Sequence, residues 1–329
     1  MMENHLLEYI EIKNFKCFDN FKTEGFKRVN LIGGKNNVGK TALMEACYVN
    51  VYAQHIKGFL FALNGIKFMR ENINILDNNQ NLSTLGFVKQ NIKNFIEQSN
   101  QIFTQTNVNL ASYNIEEKEG IKLYIFELKG QNIKVNVNEF SFEVIAIENI
   151  DFIYNSGMSN RKMIINYSAI QKQDEEPRLN TLLNEFDSRI QTFKIIDEKP
   201  QCKINDNYLE ISEFGDGLKH LISIVTSLYK TQNGYLFIDE IDNGIHYTML
   251  DKLWETVLTL AKQQNVQVFA TTHSKECIES YYRAAKKLEE QDVTYIRVSR
   301  LKNGKIKAGV HDYELFEHST EQNNEVRGW

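Results

Sequence analysis

The sequence predicts an α/β fold, a mixed sheet flanked by helices and interrupted by a helical insertion and an antiparallel β meander. Three observations carry that expectation. Near the N-terminus a glycine loop stands between an apolar run, Val29-Asn30-Leu31-Ile32, and a helix-forming stretch, Ala42-Leu43-Met44-Glu45-Ala46-Cys47-Tyr48. Far downstream, Tyr235-Leu236-Phe237-Ile238 ends in two acids, Asp239-Glu240. A further run, Val266-Gln267-Val268-Phe269-Ala270-Thr271, ends in Thr272-His273-Ser274. Short, near-continuous apolar runs suit strands buried on both faces, as in parallel sheets.

The glycine loop reads Gly34-Lys35-Asn36-Asn37-Val38-Gly39-Lys40-Thr41, the pattern Gly-x-x-x-x-Gly-Lys-Thr of a phosphate-binding P-loop. Strand, glycine loop and helix are the context that this motif requires. Glycines let backbone N–H groups turn inward where a Cβ would clash, and a helix N-terminus adds partial positive charge. The residues expected to hold the nucleotide are Gly34, Asn36, Asn37, Val38, Gly39, Lys40, Thr41 and Ala42. Lys40 would reach the β- and γ-phosphates of ATP, and the Thr41 hydroxyl would ligate Mg²⁺. Asp239 matches the Walker B acid, expected on the Mg²⁺ water shell, and Glu240 would polarise the attacking water. His273, at the carboxyl end of its strand, is expected near a γ-phosphate.

The elements follow in order. Leu6 to Ile12 and the piece after Asn14-Phe15-Lys16-Cys17-Phe18 suit a hairpin ahead of the P-loop strand. Tyr48 to Leu63 reads as helix, with Asn64-Gly65 as its stop. Asn72 to Ser83 is polar and reads as loop, and Leu85 to Phe103 as helix, with Phe87, Val88, Ile92, Phe95 and Ile96 on one face. Ile121 to Leu128, Ile133 to Val137, Ser141 to Ile147 and Ile150 to Tyr154 read as a meander. Residues 165–190 read as helices parted by Asp174-Glu175-Glu176-Pro177, and Cys202 to Ile211 as a hairpin around Asp206-Asn207. Ser212 to His220 leads into a helix, Leu221 to Tyr229. A helix from about His246 to Gln264 carries Leu250, Leu253, Trp254, Val257, Leu258 and Ala261 on its apolar face. Helix 275–290 and a hairpin of strands 293–301 and 305–310 around Asn303-Gly304 complete the pattern. The tail from His318 to Trp329 is polar and expected to be loosely held.

Composition narrows the function classes. The chain has 329 residues, 42% hydrophobic and 25% charged, an ordinary globular balance with a sizeable core. No stretch has the apolar length of a membrane span, and Met1-Met2-Glu3-Asn4-His5 is not read as a secretory signal. Cys17, Cys47, Cys202 and Cys277 are widely spaced, without a CxxC pair, as expected of reduced thiols in a cytoplasmic protein. The net charge of −5 does not suit a dedicated nucleic-acid binder, leaving only local, non-specific DNA contact.

Four segments together resemble a known family. They are the P-loop, Gly215-Asp216-Gly217-Leu218-Lys219-His220-Leu221, Leu236 to Tyr247, and Phe269 to Ile278. They are similar to the small bacterial "AAA family" ATPases, in the ABC-type branch that includes RecF, SMC heads and OLD-family ATPases. The resemblance implies a single ABC-type ATPase head over 1–329, with a helical insertion over 48–120 and the meander over 121–160. It implies a homodimer that sandwiches two ATP molecules, the P-loop of each protomer facing the signature segment of the other. Gly215, Asp216 and Gly217 stand where such proteins carry Ser-Gly-Gly. Here the Ser is absent, so backbone N–H groups and a helix starting at Leu218 are left to serve. Asn14 to Phe18, with Lys16 as the candidate ligand, lies where such heads approach the nucleoside. His273 matches the switch histidine. The family also implies a protein effector partner and roles in anti-phage defence or DNA repair.

Other functions fit less well. A nuclease of the OLD type needs a metal-binding domain after the ATPase, and the stretch after His273 is filled by a helix and a hairpin. An SMC-like tether needs long coiled-coil arms between Thr41 and Gly217, where a meander and short helices stand. A scaffold with little turnover would not need Glu240.

Overall fold

The computed structural model of the chain describes residues 5–71, 101–118, 121–135 and 149–315. The loop expected over Asn72 to Ser83, the helix from Leu85 to residue 100, the strand Ser141 to Ile147 and the tail from His318 lie outside them. The chain forms two compact units. The first gathers 1–27, 35–147 and 298–310, the second 28–34, 148–297 and 311–329.

The first unit holds an antiparallel sheet and two helices. Its strands are β1 (Tyr9–Phe15), β2 (Phe18–Glu24), β4 (Gln101–Gln105), β5 (Leu110–Lys118), β6 (Ile121–Leu128) and β7 (Gln131–Val135), in the order β2-β1-β4-β5-β6-β7. The hairpin expected at the start forms, pairing Ile12 with Phe21. The helices are α1 (Lys40–Tyr52) and α2 (Ile56–Glu71). Every residue of α1 except Thr41 is buried, so this helix is enclosed on all sides rather than amphipathic. Phe59 of α2 meets Tyr113 and Phe126 of the sheet, ring centroids 6.3 and 6.0 Å away. A buried polar network ties α1 to the β4–β5 turn. Asn50 Nδ2 donates to the Asn109 carbonyl (3.1 Å), Thr106 Oγ1 to Asn50 Oδ1 (2.8 Å) and Asn109 Nδ2 to the Asn50 carbonyl (2.9 Å). Each polar group so buried needs such a partner.

Two expectations are corrected here. Asn64-Gly65 does not stop a helix: α2 runs through it, and the break falls earlier, between Tyr52 and Ile56. The helical character expected over 48–120, including Ile102 and Phe103, gives way to strands at Gln101. In β4 the residues alternate between burial and partial exposure, a period of two that outweighs the apolar count.

The second unit is built on a sheet of order β15-β14-β3-β13-β12-β8. Its strands are β3 (Val29–Gly33), β8 (Ile150–Ile153), β12 (Tyr235–Ile238), β13 (Gln267–Thr271), β14 (Val293–Arg300) and β15 (Ile306–His311). The tip of the β14–β15 hairpin falls in the first unit. Strands β8, β12, β13, β3 and β14 are parallel neighbours. Ile150 to Tyr154, read as the last strand of the meander, is therefore the edge of the parallel sheet. All four residues of β8 are buried, the habit of a strand covered on both faces.

A three-stranded antiparallel sheet, β9 (Thr192–Ile196), β10 (Lys199–Ile204) and β11 (Asn207–Glu210), adds the expected hairpin. The helices are α3 (Asn160–Gln171), α4 (Glu176–Phe186), α5 (Asp216–Lys230), α6 (Leu250–Gln263) and α7 (Lys275–Lys287). The predicted apolar face of α6 is buried, with Trp254 against Tyr281 of α7, centroids 4.5 Å apart. Asp151 of β8 accepts hydrogen bonds from Asn166 of α3 and Ser227 of α5, both 2.9 Å, and pairs with Lys162. One buried carboxylate thus fixes two helices on the sheet edge.

Candidate functional site

Within the first unit the P-loop turns sharply. Asn37 (φ 60°) and Gly39 (φ 105°) have left-handed backbones. A Cβ on Gly39 would stand 2.9 Å from Cys17 Sγ, so both backbone and space demand glycine here. Gly39 caps α1 without a side-chain hydrogen bond. A helix N-terminus that opens on a glycine turn suits an anion. Lys40 is buried, and its Nζ donates to the Lys35 carbonyl at 2.9 Å, which holds the loop curled on itself. Thr41 follows at the start of α1.

The β1–β2 turn carries Lys16 (φ 53°) and places Cys17 and Phe18 beside Gly39. The sequence expectation put Lys16 toward the nucleoside. Its ammonium pairs with the fully buried carboxylate of Glu45 on α1. This pair anchors the turn to the helix that carries the P-loop. Burial pushes the Cys17 thiol above its ordinary 9.0, against the nearby cations Arg300 and Lys16. All four cysteines are free thiols.

Within the second unit the carboxyl ends of the parallel strands gather the remaining candidates. Strand β12 pairs β13 with Ile238 opposite Ala270, so the next positions, Asp239 and Thr271, fall side by side. Thr271 Oγ1 donates to Asp239 Oδ1 at 2.7 Å and accepts the Glu240 N–H at 2.8 Å. The Thr271 carbonyl accepts the Ile241 N–H at 3.0 Å. Glu240 has φ 53°, a left-handed backbone costing a non-glycine residue about 1–2 kcal/mol. Its Oε1 lies 3.6 Å from His273 Nδ1, and both side chains reach solvent. The next threonine repeats the arrangement: Thr272 Oγ1 donates to Asp242 Oδ1 at 2.7 Å and accepts the Ser274 N–H at 3.0 Å.

The Gly215-Asp216-Gly217 segment opens α5, which begins at Asp216 with Gly215 as its N-cap, earlier than the Leu218 expected. The two glycines differ. A Cβ on Gly217 would stand 2.2 Å from the Gly244 carbonyl oxygen, in the turn after Asp239-Glu240. A Cβ on Gly215 would meet nothing within 4 Å. His220, on the same helix, is buried and places Nε2 3.1 Å from the Ile241 carbonyl. Burial lowers its pKa below the ordinary 6.5, so the neutral ring donates this bond.

The structure therefore brings Asp239, Glu240 and His273 to one sheet edge, and sets Gly217 against the turn that follows them. Strand β3 of the same sheet leads directly into the P-loop. Thr271, His220 and Gly244 escaped the sequence reading. The faint signal was the pair Thr271-Thr272 ending a buried run, since neighbouring parallel strands bring their carboxyl ends to the same edge of the sheet. Thr41 and Asp239 are hard oxygen donors of the kind that suit Mg²⁺, and the glycine cradle with Lys40 suits a triphosphate.

Comparison with known proteins agrees with this arrangement. Residues 116–279 match a family model described as "AAA domain, putative AbiEii toxin, Type IV TA system". The match begins after the P-loop and includes Gly215-Asp216-Gly217, Asp239-Glu240 and His273. A Helicobacter pylori protein named "ATP/GTP phosphatase" is 28% identical, over 83% of this chain and 87% of its own. The SMC head domain of Pyrococcus furiosus, with an extended coiled coil and bound to the C-terminal domain of ScpA, superposes with a TM-score of 0.54. It is 12% identical, and the match covers 97% of this chain and 100% of that one. An SMC head bound to the C-winged helix domain of ScpA gives 0.51 at 14% identity, covering 94% and 98%. At such identities the likeness concerns the fold alone. The chain has the fold and the motifs of a P-loop NTPase, and the family match over 116–279 and the phosphatase relative support an ATPase of the AAA/ABC type.

Proposed function

We propose that the chain is a dimeric, nucleotide-driven switch that hydrolyses ATP and passes its change of state to a protein effector. The observation that carries the reading is the clamped sheet edge, where Asp239 is fixed by a hydroxyl and Glu240 projects into solvent beside His273. That arrangement supports Asp239 as the anchor for a hydrated Mg²⁺ and Glu240 as the group that orients and deprotonates water. Bound Mg²⁺ would supply charge neutralisation at the β- and γ-phosphates. Lys40 and the first-turn amides of α1 would hold those phosphates, and His273 would steady Glu240 or the terminal phosphate oxygens. Gly215 supports the sandwich part of the reading. Nothing around it in its own protomer demands a glycine, which suits a position where a partner's nucleotide approaches backbone N–H groups. The family model's description as a toxin–antitoxin component supports an effector partner and a role in anti-phage defence.

Two variants test the reading. Lys40→Ala should weaken ATP–Mg²⁺ binding by about 2–4 kcal/mol, because it removes the point charge expected on the β- and γ-phosphates. Glu240→Gln should bind ATP normally and hydrolyse it about 10²-fold more slowly. Calorimetric titration and a phosphate-release assay read the two effects. An unchanged dissociation constant for Lys40→Ala removes the P-loop from the site, and wild-type turnover in Glu240→Gln removes Glu240 as the base.

A further inference from the structure

We infer that Thr271 is a positioning residue for this ATPase, one hydroxyl that sets both the Mg²⁺-side carboxylate and the water-activating glutamate. The inference rests on the reading of Asp239 and Glu240 given above. Thr271 touches neither nucleotide phosphate nor water in the scheme and acts through its two neighbours.

The geometry is specific. A hydroxyl has one proton to donate, and Thr271 gives it to Asp239 Oδ1 at 2.7 Å. A lone pair on the same oxygen accepts the Glu240 N–H at 2.8 Å. Donation to Asp239 fixes the rotation of the carboxylate and so the direction of its other oxygen. Acceptance from Glu240 pins the peptide at the point where the chain enters the left-handed region (φ 53°). Strained backbone of this kind persists only where its surroundings over-determine it, and it decides where the Glu240 side chain leaves the strand. Thr271 is fully buried, so no water can replace its hydroxyl in either bond. The backbone adds a third tie, from the Ile241 N–H to the Thr271 carbonyl at 3.0 Å. That tie survives any side-chain change, which separates the hydroxyl's role from the strand pairing.

The isostere decides. Thr271→Val keeps the branched shape and β13 packing and removes both hydroxyl bonds. Thr271→Ser keeps the hydroxyl and removes a methyl. Outer-shell partners of a metal-side ligand typically change metal affinity or activity about 10–100-fold when lost. Thr271→Val is therefore expected to lower kcat for ATP by at least about tenfold with KM little changed. Mn²⁺, used as the probe for the metal in the presence of a non-hydrolysable ATP analogue, should bind more weakly by a comparable factor, read as free Mn²⁺ by electron paramagnetic resonance. Thr271→Ser should restore both to within about twofold of wild type. If Thr271→Val does not fold, as judged by circular dichroism, Thr271→Ala carries the same two measurements. Wild-type kcat and wild-type Mn²⁺ affinity in the folded Val or Ala variant overturn the inference while leaving the ATPase reading in place. A wild-type chain that binds neither ATP–Mg²⁺ nor the Mn²⁺ complex overturns both.

Discussion

At the scale of single residues, buried polar side chains hold the segments next to the proposed catalytic groups. His220 is the clearest case. Its neutral ring donates to the Ile241 carbonyl and so joins α5 to the segment after Glu240. Burial, its largest influence, holds its pKa below 6.5, and His311 is shifted the same way by burial and the nearby Arg297. The sign follows directly. The unfolded chain takes up a proton near pH 6.5 that the folded chain refuses, so the contribution is complete above that value. It is lost as the pH falls through 6.5 toward the lower folded pKa. Melting temperature measured from pH 8 to pH 5 should fall on the acid side, and His220→Asn should flatten that fall. An identical slope in the variant would assign the effect to other groups.

At the scale of elements, close approach decides what the signature segment tolerates. The first turn of α5 and the turn at Gly244 touch backbone to backbone, and Gly244 itself has φ 71°. Gly217→Ala inserts a methyl 2.2 Å from a carbonyl oxygen that no rotamer change can move, and overpacking of that kind costs about 1–3 kcal/mol. Gly215→Ala, two residues earlier, has open space and φ −65° and should melt like the wild type. Chemical denaturation of the pair distinguishes them: equal midpoints would mean that the two backbones relax apart at no cost. The buried Asp151 makes a second element-scale test. Asp151→Ala removes the acceptor shared by Asn166 and Ser227, which keep their mutual bond (3.0 Å), and leaves Lys162 with the Phe152 carbonyl in place of a carboxylate, for an expected loss of about 1–3 kcal/mol of stability. A midpoint unchanged in urea would show that α3 and α5 hold to the sheet by apolar packing alone.

At the scale of the whole molecule, the proposal is an assembly controlled by nucleotide. A variant that binds ATP without consuming it should accumulate in the dimeric state, because ligand bound across an interface stabilises it by mass action. Light scattering of Glu240→Gln with ATP–Mg²⁺ is expected to give twice the monomer mass, and without nucleotide the monomer mass. Gly215→Ala should weaken that dimer while leaving the fold intact. A monomer at saturating ATP would defeat the sandwich for this chain by itself. Among the described residues no helix is long and apolar enough to cross a membrane.

The candidate chemistry is legible in short stretches of residues. The loop Gly34 to Thr41, the acids after β12, the histidine after β13 and the amphipathic face of α6 are short-range patterns. Their spacing is tied to phosphate size, strand ends and the helical repeat, so they can be read without coordinates. Which strands are neighbours became visible in the folded chain alone. It moved Ile150–Ile153 from the meander to the edge of the parallel sheet, because partner choice for a short apolar strand depends on what covers its two faces. It turned Gln101–Gln105 into a strand and paired Lys16 with Glu45, 29 residues away. It also set Thr271 beside Asp239 and Gly217 against Gly244, across 32 and 27 residues of chain. Those contacts depend on register and on backbone approach between distant segments, and neither property is carried by any one stretch of residues.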